Sequence, residues 1–252
     1  MTENLHIQAC SLADILPLRA LYLQELHAQS RYHACHERGW ADEYGVFEGD
    51  QMIGYGSIKG LEELKDRDAI FEFFLLPTYR DVSKKVFLQL IDTSKATHAE
   101  AQSNDGLMCR MLYEFGKPVK TEVVLFKEGR HTKMRKDNVL FRRRKTEDEV
   151  LGDKDEPSGD YVLEKDGSII ADGGFLLHYN PPFADVFMEV VPEFRNRGYG
   201  RYLVQEIKKE CYLAGKVPAA RCNLSNQTSR ACLEAAGFEV AGYMLSTKLR
   251  KR

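Results

Sequence analysis

Arg195-Asn196-Arg197-Gly198-Tyr199-Gly200 stands between an apolar stretch, Val186-Phe187-Met188-Glu189-Val190-Val191, and a run with helical spacing. The apolar stretch reads as a strand that Pro192 ends. Leu203, Val204, Ile207, Cys211 and Ala214 recur on one helical face, which predicts a helix over about 200–214. Two glycines at the joint let the backbone turn tightly and bring successive N–H groups close to a ligand. The first N–H groups of a helix have no internal partner, and the helix dipole adds partial positive charge there. Arg195, Arg197 and Arg201 bring full charges to the same end. This combination makes a cradle for a diphosphate.

Three kinds of cradle share this outline. A P-loop needs a Lys-Ser/Thr pair after its second glycine, where this chain has Arg201-Tyr202. A dinucleotide fold needs a third glycine at Leu203 and a long parallel sheet beyond it, and only 52 residues follow Gly200. The third is the pantetheine-pyrophosphate site of the GNAT (Gcn5-related N-acetyltransferase) superfamily, whose signature is Arg/Gln-x-x-Gly-x-Gly/Ala. A glycine-containing surface turn is the plain alternative for the motif taken alone.

A second block decides between them. Ala220-Arg221-Cys222-Asn223-Leu224-Ser225-Asn226 reads as a short strand and loop. Ser229, Cys232, Leu233 and Ala236 follow at helical spacing, and Gly237-Phe238 closes that helix. Asn-x-x-Ser-x-x-Cys-Leu-x-x-x-Gly-Phe closely resembles the second block of the same superfamily, and Val240–Leu249 reads as a final strand.

The resemblance implies roles residue by residue. Val190 and Val191 would pair their backbone with the pantetheine arm, and an N–H of one of them would polarise the thioester carbonyl. Arg195, Asn196, Arg197, Gly198, Tyr199, Gly200 and Arg201 would wrap the pyrophosphate. Asn223, Asn226 and Ser229 would add contacts from the second block. Acetyl-CoA is the implied cosubstrate, with no metal. One departure stands out: Leu233 occupies the place of the tyrosine that protonates the leaving thiolate, so a proton must come from elsewhere or from water.

An internal repeat accounts for the first half of the chain. Leu75-Leu76-Pro77-Thr78-Tyr79-Arg80 matches Val190-Val191-Pro192-Glu193-Phe194-Arg195 at a constant offset of 115 residues. A hairpin read over Val46–Ile58, with its turn at Glu48-Gly49-Asp50, has a counterpart over Val162–Phe175 that turns at Lys165-Asp166-Gly167. Ile7–Asp14 followed by apolar Leu18, Leu21 and Leu26 also looks like the start of such a domain, and Leu112-Tyr113 echoes the second block. The first copy lacks the cradle, since Asp81-Val82-Ser83-Lys84 follows Arg80 with no glycine and a carboxylate where phosphate would approach. The expected architecture is therefore α/β (α+β): tandem GNAT-like domains, each a mixed, mostly antiparallel sheet flanked by helices. Residues 1–145 would form a degenerate copy without a coenzyme site and residues 146–252 the coenzyme-binding copy.

The second copy is itself incomplete. Only Lys145–Ser158, fourteen mostly charged residues, separates the strand expected over Val139–Arg144 from the hairpin near Tyr161. The two helices that cover the acceptor side in this family have no room there. The first domain is the expected wall, which would make the acceptor site an interdomain cleft.

Catalysis needs a base for the incoming amine. Asp185 and Glu189 lie four residues apart on one strand and so share a face. The resemblance puts Asp185 near the glutamate base of histone-type relatives and Glu189 near the acetyl group; a rim salt bridge is the plain alternative for either. His178, in the break His178-Tyr179-Asn180-Pro181-Pro182, is the third candidate.

Composition fits this reading. The chain has 252 residues, enough for two domains, and a net charge of −2, which predicts no bulk attraction to nucleic acid or membrane. The start of the chain has no signal-peptide pattern, no apolar run is long enough to span a bilayer, and the six cysteines show no C-x-x-C spacing; a cytoplasmic location follows as the expectation. Lys127–Lys145 holds nine Lys or Arg against two acids, but the acids from Glu147 to Glu156 follow at once, so it reads as a solvated edge and linker. His27, His33, Cys35 and His36 fit no usual zinc spacing, and Trp40 beside them could line the acceptor cleft. The expected function is an acetyl-CoA-dependent N-acetyltransferase acting on a primary amine by direct attack, as a monomer or homodimer. The alternatives are a non-catalytic acyl-CoA sensor, which Leu233 favours, and a structural interaction module that binds no coenzyme. Small amine, antibiotic, amino acid and peptide amino terminus all stay open as acceptors.

Overall fold

Short turns and caps set the frame before any tertiary contact. The computed structural model describes residues 4–27, 33–63, 65–148, 151 and 159–250, so most of the charged stretch after Asp148 lies outside the described residues. Ser11 and Asp14 form a reciprocal capping box that starts α1 (Leu12–Leu26) directly after β1 (Leu5–Cys10). A short α2 (His33–Glu37) follows, then the hairpin of β2 (Ala41–Glu48) and β3 (Gln51–Lys59), reversing at Gly49-Asp50. β4 (Ala69–Leu75) runs through a 3-10 turn at Pro77–Val82 into α3 (Ser83–Ser94), and β5 (His98–Gln102) leads to α4 (Gly106–Phe115).

The second half repeats this order without counterparts of α1 and α2 among the described residues. β6 (Gly116–Glu128) is followed by β7 (Leu140–Arg143) and the hairpin of β8 (Tyr161–Lys165) and β9 (Ser168–Leu176). Its turn residues Asp166 and Gly167 both have positive φ, the twist that matches paired strands. β10 (Phe183–Val190), a 3-10 turn at Pro192–Phe194, α5 (Tyr199–Leu213), β11 (Val217–Asn223), α6 (Gln227–Ala235) and β12 (Phe238–Leu249) complete the chain.

Two compact units result: residues 1–28, 32–122 and 242–252 form the first, and residues 29–31 and 123–241 the second. Residues 123–145 thus cluster with the second unit and 242–252 with the first, a different division from the expected 1–145 and 146–252. Strand pairing explains it. In the first unit the order is β1-β2-β3-β4-β5-β12, so the strand beside β5 is the last one of the chain. In the second unit the order is β6-β11-β10-β9-β8-β7, so the strand beside β11 is the one that follows α4. Each sheet is antiparallel except for one parallel pair, β4 with β5 and β10 with β11.

The main core of the first unit packs Phe73 and Leu75 of β4 against Val86, Phe87 and Leu90 of α3. Its other face packs Phe74 and Tyr55 against Ile15 and Tyr22 of α1. In the second unit Leu203, Val204, Ile207 and Cys211 of α5 are fully buried. Burying such side chains stabilises by about 1.5–3 kcal/mol each, which seats the helix start that the sequence motif occupies.

Candidate active site in the second unit

The site begins where two strands part. β10 pairs with β11 only over Phe183–Asp185, but with β9 over Asp185–Val190. The β10 edge beyond Asp185 is therefore released from β11. Val191 N–H donates to the Ile170 carbonyl at 3.0 Å, so Val190 and Ala171 form a pair that does not exchange ladder bonds. Alternation then aims the N–H and C=O of Met188 and Val190 into the opening. Of the two valines, Val190 presents its N–H there, while that of Val191 is held by β9.

At the end of β10 the backbone enters a left-handed turn, with φ +60° at Asn196 and +78° at Gly198. Gly198 is the N-cap of α5 and has no side chain to bond the first-turn N–H groups. Gly200 works differently. It already lies inside the helix, and a side chain there would start 3.1 Å from Cys232 Sγ and 3.3 Å from Val190 Cγ2. Its small size lets α5 close onto the end of β10 and onto α6, so of the two glycines only Gly198 supplies the turn conformation.

Arg195 folds back on the strand. Its Nε donates to the Val190 carbonyl at 2.9 Å and its guanidinium meets Glu189 Oε1 at 2.6 Å. Arg197 lies over the Phe194 ring at 5.7 Å, and Arg201 is exposed in the first turn of α5. In the second block Asn226 caps α6 by accepting the Ser229 N–H at 2.9 Å. Asn223 accepts from Ser225 N–H at 2.9 Å and from its hydroxyl at 2.6 Å. These residues shape the loop beside the opening through local capping. Leu233 is buried in the helix–sheet core, with no proton to offer.

Met188 and Val190 face α5, so Asp185, Phe187 and Glu189 share the opposite face of the sheet. On that face the carboxylates differ. Glu189 is half exposed and paired with Arg195. Asp185 is buried; its Oδ2 lies 3.1 Å from His178 Nε2 and 3.5 Å from Arg221 Nε. His178 stacks edge-on against the buried Tyr179 ring, at 4.6 Å between centroids. A carboxylate that holds an imidazole orients it as a proton acceptor, which is the arrangement of a general base and its partner.

Asp172 belongs to neither sequence block. It stands on β9 directly across from Glu189, on the same face, and only 3% of its surface is exposed. Burial pushes its carboxyl above the usual range, against the Leu151 N–H that donates to Oδ2 at 3.3 Å and the nearby charge of Arg144, while Glu189 adds to the rise. The alternation in Ser168–Leu176 would have put an acid at this register, but its neighbour across the sheet is set by pairing with β10.

The first unit repeats the frame without the cradle. β4 pairs with β5 only at Ala69 and Ile70, Leu76 N–H donates to Ile53 O at 2.9 Å, and Arg80 Nε donates to the Leu75 carbonyl at 3.3 Å. A cavity of about 370 Å³ lies there, lined by Phe73, Phe74, Tyr22, Arg80 and Arg110 among others. Its turn, however, is a continuous 3-10 winding from Pro77 to Val82 that passes straight into α3, with no positive φ. On the face under α1, Arg19 grips Glu72 through two bonds of 3.0 Å, and Tyr55 donates to Glu72 at 2.9 Å. His36 Nδ1 lies 2.6 Å from Glu43, which also accepts from Ser57. A closed, charge-balanced network fills that side.

Comparison with known proteins gives this repeated frame a family. A model of an acetyltransferase (GNAT) domain matches residues 11–129, and a model described as FR47-like protein matches residues 185–246. Residues 11–129 are thus a GNAT acetyltransferase domain by sequence, and the chain as a whole has the tandem GNAT fold. An acetyltransferase of the GNAT family from Colwellia psychrerythraea shares the fold at a TM-score of 0.76 and 13% identity, covering 97% of this chain and 100% of that one. A GCN5-related N-acetyltransferase from Sphaerobacter thermophilus aligns at 0.63 and 13%, over 99% and 97% of the two chains. A tandem GNAT protein from the clavulanic acid biosynthesis pathway aligns at 0.59 and 11%, over 99% and 100%. No curated protein sequence matches the chain.

The GNAT family is one of acyltransferases, and the chain has the expected mixed sheets flanked by helices. Among its described residues no group of three or more His, Cys, Asp or Glu stands together as metal ligands. None of the described helices is long and apolar enough to cross a membrane.

Proposed function

We propose that the second unit transfers an acetyl group from acetyl-CoA to a primary amine. The observation that carries this reading is the released edge of β10, which ends at the left-handed Gly198 and the uncapped start of α5. A pantetheine arm would complete the free edge of β10, with Val190 N–H at the thioester carbonyl and the diphosphate against the N–H groups of the turn. The amine attacks the thioester carbon, the tetrahedral intermediate expels the coenzyme thiolate, and the ammonium proton passes to a base. His178 held by Asp185 has the geometry for that role, and Glu189 is the alternative once a ligand draws Arg195 away. Water protonates the thiolate, since Leu233 stands in place of tyrosine.

The first unit, by this reading, holds no coenzyme, because its turn winds as a continuous 3-10 helix without the left-handed glycine and Asp81 repels phosphate. A panel of amines with acetyl-CoA, followed by release of free thiol, tests the proposal. Acceptor-dependent thiol supports it. Coenzyme binding without turnover would favour the sensor reading that Leu233 suggests.

A further inference from the structure

Residues 130–136, between β6 and β7, run as a strap along α5. Lys208 Nζ donates to the Arg130 carbonyl at 3.2 Å. Gln205 accepts the Met134 N–H at 2.7 Å and donates to the Met134 carbonyl at 3.1 Å. Both Gln205 and Lys208 are 3% exposed, so buried polar groups anchor the strap from the helix side. Such groups need partners in place, which makes this path specific.

The strap ends at the cradle. Lys136 Nζ donates to the Arg197 carbonyl at 2.6 Å and lies 4.9 Å from the Tyr199 ring centre. It stands 3.4 Å from where a side chain on Gly198 would begin. A lysine some sixty residues upstream in the chain is thereby set over the first turn of α5. Arg197 and Arg201 are already at this end. No carboxylate pairs with Lys136, Arg197 or Arg201 among the described residues. Cations at the positive end of a helix repel its dipole and one another. An anion bound between them would remove that repulsion.

We propose that Lys136 is a phosphate-binding residue of the cradle, donating its charge to a diphosphate seated on the Gly198–Arg201 turn. The assignment rests on the coenzyme reading of that turn. It adds a ligand that neither sequence block contains. The position beside Gly198, where the helix N–H groups begin, selects the diphosphate over the 3′-phosphate of the coenzyme.

Titration calorimetry with coenzyme A, 3′-dephospho-coenzyme A and inorganic pyrophosphate tests it on wild type, Lys136→Met and Lys136→Arg. Loss of one charged hydrogen bond should weaken both coenzyme forms by roughly tenfold or more in Lys136→Met, by the same factor for each. Lys136→Arg should stay within about threefold of wild type, and added salt should narrow the gap between wild type and Lys136→Met. Without ligand, the melting temperature of Lys136→Met should equal or exceed that of wild type. Equal binding by wild type and Lys136→Met overturns the assignment while leaving the acetyltransferase reading intact. A loss confined to the form with the 3′-phosphate overturns the choice of diphosphate. Equal loss in the Arg variant, or destabilisation of ligand-free Lys136→Met, shows a strut for the Arg197 carbonyl and overturns the proposal as well. If wild type takes up no coenzyme, the reaction reading falls and pyrophosphate decides: protection lost in Lys136→Met sustains the phosphate role, and no difference ends it.

Discussion

Arg195 holds Glu189: its guanidinium lies 2.6 Å from Oε1 while its Nε donates to the Val190 carbonyl at 2.9 Å. The first unit makes the corresponding backbone bond from Arg80 to Leu75 with no glycine cradle behind it. The arginine of the signature therefore closes the strand end as well as charging the turn. Glu189 is thus engaged by Arg195, whereas Asp185 is buried and bound to His178.

The kinetic test of the base follows from that contrast. Asp185→Asn and His178→Gln should each lower turnover by roughly 10²–10⁴ while coenzyme affinity persists. Glu189→Gln should have the smaller effect if Arg195 stays in place. If Glu189→Gln loses activity and Asp185→Asn retains it, the roles are reversed; normal turnover in all three variants removes these groups from proton transfer.

Gly198 and Gly200 should fail in different ways. Gly198→Asp adds a side chain at φ +78° and a negative charge in the cradle, so the thermal shift given by acetyl-CoA should vanish. Gly200→Val should destabilise the protein itself, by about 1–3 kcal/mol, through overlap with Cys232 and Val190. A normal shift in Gly198→Asp would mean that the coenzyme binds elsewhere.

Asp172 stores a cost. Because burial raises its native pKa, the folded state binds this proton more tightly than the unfolded chain. Stability is then greatest below the ordinary carboxylate range and declines as pH rises through the raised value. Asp172→Asn keeps an acceptor for Leu151 N–H and should melt above wild type at pH 7.5, with the gap closing towards pH 4. A wild type that melts higher at neutral pH would mean that the charge is compensated.

His36 adds a decline of the same sign at alkaline pH. Burial alone would lower it, but the hydrogen bonds and charges of Glu43 and Glu72 hold it at about 9, above its usual 6.5. The native state keeps this proton, so its contribution is complete below about 6.5 and is lost as pH climbs through 9. The rise bounds that loss at about 3 kcal/mol. Denaturant unfolding between pH 7 and pH 10 should show the decline in wild type and not in His36→Gln, which should be less stable at pH 7.

The chain itself determined its family and its repeat. Strand, glycine turn and helix start are local: Pro192 ends a strand, Gly198 takes its left-handed conformation without strain, and periodic apolar residues build α5. The Leu75–Arg80 and Val190–Arg195 segments announce two copies because the same bonds, Arg80 to Leu75 and Arg195 to Val190, close both. Tertiary structure decided the rest. Which strand completes each sheet depends on long-range pairing, so β12 joins β5 and β6 joins β11 across more than ninety residues of chain, which periodicity cannot reveal. Pairing also put Asp172 across from Glu189, chose Val190 over Val191 as the N–H aimed into the opening, and showed that Gly200 serves packing. Lys136 reaches the cradle only because buried Gln205 and Lys208 bind backbone groups of a segment that, as sequence, reads as a solvated basic linker.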